Sequence, residues 1–156
     1  MRALLFSALA LLTLGQVTPA RAQTALDDPT VVAIFDAANT YDIETGQLAL
    51  QKSHTKSVRD LAQQFLNDHT TVRQQGRDLA KKLGVTPTPP KEFALADAHA
   101  KSKNELEGKS DASFDEAYID HEVAFHQAVL EAVKSTLLPA IKNAELKAFV
   151  EKVGPA

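Results

Sequence analysis

The chain has 156 residues, 44% of them hydrophobic and 24% charged, with a formal net charge of -3 at pH 7. That length suffices for one domain with its own core, and a mildly acidic balance argues against nucleic acid as a partner. Cysteine is absent, which excludes disulfides, thiolate metal sites, thiol catalysis and the acylated cysteine of a lipoprotein.

The sequence opens with Arg2 and an uncharged apolar stretch from Ala3 to Leu14, followed by Pro19 and the small-residue pattern Ala20-Arg21-Ala22. This reads as a secretory signal peptide over 1–22, cleaved before Gln23. The apolar stretch falls short of the roughly 20 residues that span a bilayer, and nothing later in the chain is apolar enough to do so, so no transmembrane segment is expected in the mature chain. Cleavage removes Arg2 and Arg21 and no acid, which moves the net charge from -3 to -5. The expected destination is the bacterial periplasm, with secretion as an alternative. Residues 23–29 read as a linker and 30–156 as a single domain.

Punctuation divides that domain into helices. Asp28-Pro29 offers an N-cap and a proline at the first helical position, opening a helix to about Gln51. A second helix is expected from Thr55 to Leu83, with Lys81 and Lys82 in its last turn and Gly84 as its C-cap. "VTPTPP", Val85 to Pro90, cannot continue it. A third, weakly patterned helix covers about Lys91 to Glu107 and stops at Gly108. Ser113 and Glu116 have the spacing of a capping box, opening a fourth helix that Pro139 ends after Leu138. A short segment, Asn143 to Val153, closes the chain. No alternating strand pattern competes with this, so the expected fold is an all-α, up-and-down four-helix bundle with a short C-terminal helical segment.

Helical spacing gives each long helix an apolar seam with one polar intruder. The first seam is Ile34, Ala37, Tyr41, Glu44 and Leu48. The second is Val58, Ala62, Phe65, His69, Val72, Gly76, Leu79 and Leu83. The fourth helix gives Ile119, Val123, His126, Leu130, Val133 and Leu137. Glu44, His69 and His126 are therefore candidates to meet, with Asp68 and Glu122 in support. Two readings stay open: a buried hydrogen-bonding network, because unpaired buried polar groups cost about 1 to 3 kcal/mol, or a site for a transition-metal ion (Fe, Zn, Mn or Cu), which facing bundle helices commonly build from imidazole and carboxylate.

Sharper motifs fail. "HEVAFH", His121 to His126, has one residue too many for the zinc-protease pattern, and at about 100° per residue its two imidazoles stand roughly 140° apart. Glu122 and His126, four apart, do share a face. The Glu-x-x-His signature of di-iron carboxylate bundles is missing before every histidine. Arg73, Arg77 and Lys81 read as a solvated face, His54 and His99 as surface histidines, and nothing suggests nucleophilic catalysis.

The stretches "FDAANTYDIETGQLAL", "VRDLAQQFLNDHTTV", "FDEAYIDHEVAFHQAVL" and "LKAFVEKVGP" resemble the exported bacterial family called Domain of Unknown Function 4142, classed as ferritin-like, from about Thr30 to the end. Asp68, His69, Phe114, Asp115, Tyr118 and His126 match its more specific motifs, and Glu44 matches the acidic position of its first. The resemblance implies a ferritin-like bundle in the cell envelope, often labelled an outer membrane protein and without an established activity. Members usually continue past the terminal proline into a further helical stretch carrying another histidine, a residue that the present sequence, ending at Ala156, does not include. The reading with which the sequence leaves us is an exported, non-catalytic bundle with a Glu/His core network and a possible envelope protein partner, or a metal-binding bundle using Glu44, His69 and His126.

Overall fold

The computed structural model describes residues 26–154; the expected signal peptide and the start of the linker lie outside them. Helix α1 spans Asp28–Lys52, α2 Lys56–Leu83, α3 Ala94–Glu107 and α4 Asp111–Ala132. A π-helical stretch, Val133–Leu137, carries α4 into the short α5, Leu138–Ala140, and α6, Ala144–Val153, closes the chain. Every described element is helical, and none is long and apolar enough to cross a membrane.

The ends follow local chemistry. Asp27, one residue before the expected cap, accepts from the Thr30 amide at 2.9 Å and leaves Asp28 and Pro29 inside the first turn. Gly84 ends α2 in the left-handed region at φ 67, where a Cβ would be strained. Helix α4 begins three residues before the expected Ser113–Glu116 box, because Ser113 pairs instead with Ser110. Nor does it stop at Pro139: the wide π turn absorbs the approach to the proline, whose missing amide is harmless at the start of α5.

Helices α1 and α2 form the main antiparallel pair. Ala38, Gly46 and Ala49 on α1 and Ala62 on α2 are all buried, so small residues let the two backbones approach closely. A Cβ on Gly46 would stand 3.2 Å from the Ala62 carbonyl oxygen. Gly46→Val is therefore expected to cost about 1 to 3 kcal/mol through overpacking; an unchanged urea midpoint would show that the helices are not this tightly apposed. The basic row on α2 partly serves the same pairing. Arg77 grips Asp36 through two hydrogen bonds, and Arg73 Nη1 donates to Thr40 Oγ1 at 3.1 Å.

Two apolar clusters sit at opposite ends of α1. Val31 and Val32 pack with Ala80, Val133, Leu137, Ile141, Leu146 and Val150. Ala49 packs with Val58, Ala62, Leu106, Phe114 and Tyr118. Between them α1 buries Asn39, Asp42 and Thr45, and this polar stretch positions the site.

Candidate metal centre

The face of α1 turned to the core differs from the expected stripe. Tyr41, Glu44 and Leu48 are only partly buried, whereas Asn39, Asp42, Thr45 and Ala49 face inward. On α4 the buried positions are Phe114, Tyr118 and Glu122, while Val123, expected in the seam, is 53% exposed. The second seam stands largely as read, with Val58, Ala62 and Gly76 buried and Phe65, His69 and Val72 partly so.

These rotations decide which side chains meet. His69 and His126 do come together, with ring centroids 5.5 Å apart. Glu44 does not join them. It lies on the α3 side of α1, where its Oε2 is 3.0 Å from His99 Nε2 and 4.0 Å from Lys103 Nζ. The acid that reaches the histidines is Asp42, two residues earlier and therefore on a different face. Asp42, His69 and His126 each offer one ligand atom, all within 4.8 Å of one another. Of the supporting pair, Asp68 is exposed and acts on His69 through its charge, whereas Glu122 is buried beside the cluster, its Oε2 3.6 Å from His126 Nδ1.

Hydrogen bonds fix the rings. Asn39 Nδ2 donates to the Phe35 carbonyl at 2.8 Å, which turns Asn39 Oδ1 toward His69 Nδ1 at 3.0 Å. An amide oxygen only accepts, so His69 carries its proton on Nδ1 and keeps a lone pair on its other nitrogen. His126 is held alike: Nδ1 donates to the backbone carbonyl of Glu122 at 2.8 Å. Such backward hydrogen bonds set the tautomer of metal-ligating histidines. Phe65 closes the site, its ring 6.0 Å from His69 and 5.1 Å from His126.

The electrostatics are those of a buried, polar, half-satisfied pocket. Burial, and then the charge of Glu122, push Asp42 up to about 8. Burial likewise lifts Glu122 to about 7, against a Thr45 Oγ1 hydrogen bond at 2.9 Å and the nearby Tyr118 hydroxyl. Burial, with His126 adding to it and Asp68 opposing, lowers His69 to about 4. The Tyr118 phenol is raised, first by burial and then by Glu122 and Asp42. At neutral pH His69 is therefore neutral, with its lone pair available, while Asp42 holds its proton. Among the described residues, Asp42 Oδ1, Glu122 Oε2 and Tyr118 Oη are buried with no well-formed hydrogen bond.

The donor set fits a metal ion. Two ligand atoms at about 2.1 Å from one ion are at most about 4.2 Å apart, less than the 4.8 Å spread, and Asp42 Oδ2 faces the proton-bearing His69 Nδ1 at 3.5 Å, so the side chains must turn and close to hold an ion. Two imidazoles and a carboxylate suit copper, zinc or iron. On the outer side of His126 lies a groove of about 240 Å³ lined by Leu61, Phe65, Ile119, Val123, Glu122 and His126.

Fold and site together define an all-α helical bundle with a cluster of two partly buried imidazoles and one buried carboxyl, beside a second buried carboxyl. The family described as Domain of unknown function (DUF4142) matches residues 15–156, and the chain belongs to it. No curated protein matches the chain. Among solved structures, "CopM in the Cu(II)-bound form" superposes with a TM-score of 0.62 at 14% identity, over 84% of this chain and 88% of that one. The two share the bundle fold.

Sequence reasoning missed Asp42, Asn39 and Thr45. The signal that could have found them is the row Asn39, Asp42, Gly46, Ala49 at three-and-four spacing, where small residues mark the closest helix approach. A search for large apolar side chains passes over it.

Proposed function

We propose that this protein is an exported metal-binding bundle of the bacterial envelope, with the periplasm as its compartment, in which Asp42, His69 and His126 hold a divalent transition-metal ion. The observation that carries this reading is the convergence of three donor atoms from three helices within 4.8 Å. A purely structural network accounts for the Asn39–His69 and Thr45–Glu122 hydrogen bonds, but it leaves Asp42 Oδ1 and Glu122 Oε2 buried with no well-formed hydrogen bond among the described residues. Cu(II) is the ion we favour. It stands highest among the divalent first-row ions for nitrogen and oxygen donors, and the copper-bound CopM has a similar bundle. The segment from Arg2 to Ala22 supports export. Glu122 stands by as a fourth donor, and Asp42 releases its proton to solvent when the ion binds.

Equilibrium dialysis of tag-free protein against buffered Cu(II), with electron paramagnetic resonance of the product, tests this. The expected result is tight binding with imidazole-nitrogen coupling, and loss of that signal in His126→Ala, whose side chain is 35% exposed and so is a safe deletion for the fold. Wild-type affinity and an unchanged spectrum in His126→Ala would overturn the assignment.

A further inference from the structure

Hydroxyl side chains are common in this chain, and helices hold nearly all of them. Among the described residues, every serine and threonine except Thr86 and Thr88 lies in a helix or caps one. These two stand in the connection from α2 to α3, in the run Thr86-Pro87-Thr88-Pro89-Pro90, which is neither helix nor strand and is exposed from residue 86 to 89. Proline fixes its own φ and drives the residue before it out of the helical region, so both threonines are held extended.

The segment is pinned as well as stiff. Val85 packs against the cluster of Val31, Leu146 and Val150, and its amide donates to the Ala80 carbonyl at 2.9 Å. The Thr88 amide donates to the Pro29 carbonyl at 3.1 Å. These anchors use the backbone and Val85 and leave both threonine side chains exposed. Thr88 Oγ1 makes one long hydrogen bond, to the Thr86 carbonyl at 3.3 Å. An extended, protruding and preordered acceptor is what an enzyme acting on a folded protein can take into its cleft. A helical hydroxyl such as that of Thr70, although exposed, brings neighbours three and four residues away on the same face.

The chain contains no Asn-x-Ser or Asn-x-Thr, which excludes the common asparagine-linked route. Threonine interleaved with proline is instead the composition of O-glycosylated segments. We propose that Thr86 and Thr88 are acceptors of O-linked sugar. This rests on the export proposed above and not on the metal site. Outside the cytoplasm, away from its nucleotide sugars, the donor class is a sugar joined through its anomeric carbon to a membrane lipid diphosphate. The threonine Oγ1 forms a bond to that carbon while the bond from the carbon to the phosphate oxygen breaks. The lipid diphosphate leaves with the bonding electrons, and the hydroxyl proton passes to a base on the transferase. A sugar placed here shields an exposed connection, the kind of segment at which proteases cut.

Peptide mass mapping of the chain purified from the envelope of its native bacterium tests this. Trypsin cuts after Lys82 and Lys91 and releases Leu83–Lys91, whose hydroxyls are those of Thr86 and Thr88 alone. That peptide should be heavier by whole sugar residues, with part of the increment lost in Thr86→Ala and all of it in Thr86→Ala/Thr88→Ala. Both changes keep the Thr88 amide, so the melting temperature of the sugar-free chain should not fall. The peptide Asp60–Arg73, which carries the helical Thr70 and Thr71, should show its bare mass. The proposal is overturned if Leu83–Lys91 has its bare mass in a chain that begins at Gln23, if the added mass is phosphoryl, or if sugar is found equally on Thr70 or Thr71. A chain that keeps residues 1–22 and carries no sugar overturns the export reading together with this one, whereas a cleaved and unmodified chain overturns this one alone.

Discussion

Replacing Asp42 by asparagine is expected to stabilise the metal-free protein at pH 8 while lowering its Cu(II) affinity by about 100-fold or more, beyond the range seen for merely orienting residues. The two effects share one cause. Asp42 is 4% exposed, with no hydrogen bond to Oδ1 among the described residues; burial, and then the charge of Glu122, favour its protonated form and push it up to about 8 from the ordinary 3.8. A carboxyl raised in this way binds more protons folded than unfolded, so stability falls with rising pH between those values. The histidines run the other way. His69 falls from 6.5 to about 4 and His121 is also lowered, so the unfolded chain holds more of their protons, up to pH 6.5. Below that point the histidine and carboxyl slopes oppose each other. Above it the raised Asp42 and Glu122 set the slope, and the metal-free protein should lose stability as the pH rises through about 8. In Asp42→Asn the fall should level off as the pH rises past about 7, the midpoint at which Glu122 titrates. The gain at pH 8 should be about 1 to 3 kcal/mol, the cost of an unsatisfied buried polar group, or several degrees in melting temperature. A melting temperature at pH 8 that is unchanged or lowered in the variant would mean that the Asp42 carboxyl is better solvated than its burial implies.

The second large effect belongs to Phe114. Its side chain is fully buried, stacked parallel to Tyr118 with centroids 6.1 Å apart, and lies under Lys52 at 5.7 Å. Phe114→Ala should cost about 3 to 5 kcal/mol, a large share of the roughly 5 to 15 kcal/mol that holds a domain folded. Tyr118 would lose one wall, and with it the fixed position of its hydroxyl near Glu122. The variant should therefore unfold at much lower urea and, where still folded, bind copper more weakly than stability alone explains. Denaturation followed by titration below the midpoint separates the two effects. A loss under about 1 kcal/mol would show that the cluster collapses around the gap.

Strong local signals made the helices legible. Gly84, Pro29, Asn143 and the proline-rich 85–90 segment act through their own backbone, and each ends or begins a helix within a few residues of where the sequence puts it. His69 and His126 were legible for a related reason: a polar residue in an otherwise apolar seam stands out. What stayed hidden depends on rotation about the helix axis. On α1 the small residues Ala38, Gly46 and Ala49 define the inner face, and Glu44, with Tyr41 and Leu48 around it, imitates a seam that is in fact turned partly toward α3. A rotation of one or two positions exchanges Glu44 for Asp42, and with it the partner of each histidine. His99 was hidden because α3 has almost no pattern of its own; only its docking on α1 buries the ring.

The start of α1 has a last consequence. The Asp28 carboxylate accepts from the backbone amides of Lys142 and Asn143, at 2.7 and 3.0 Å, across 114 and 115 residues of chain. It thus buckles the first helix to the approach of the last, where Val31 and Val32 meet Leu146 and Val150. In a polypeptide threaded through a membrane pore with its N-terminus leading, as the proposed export requires, that buckle cannot fasten until the tail has emerged. The α1–α2 hairpin, with Asn39, Asp42 and His69 already apposed, can form during passage; His126 and the closing helix arrive last, so the proposed ion-binding cluster would be completed only on the far side.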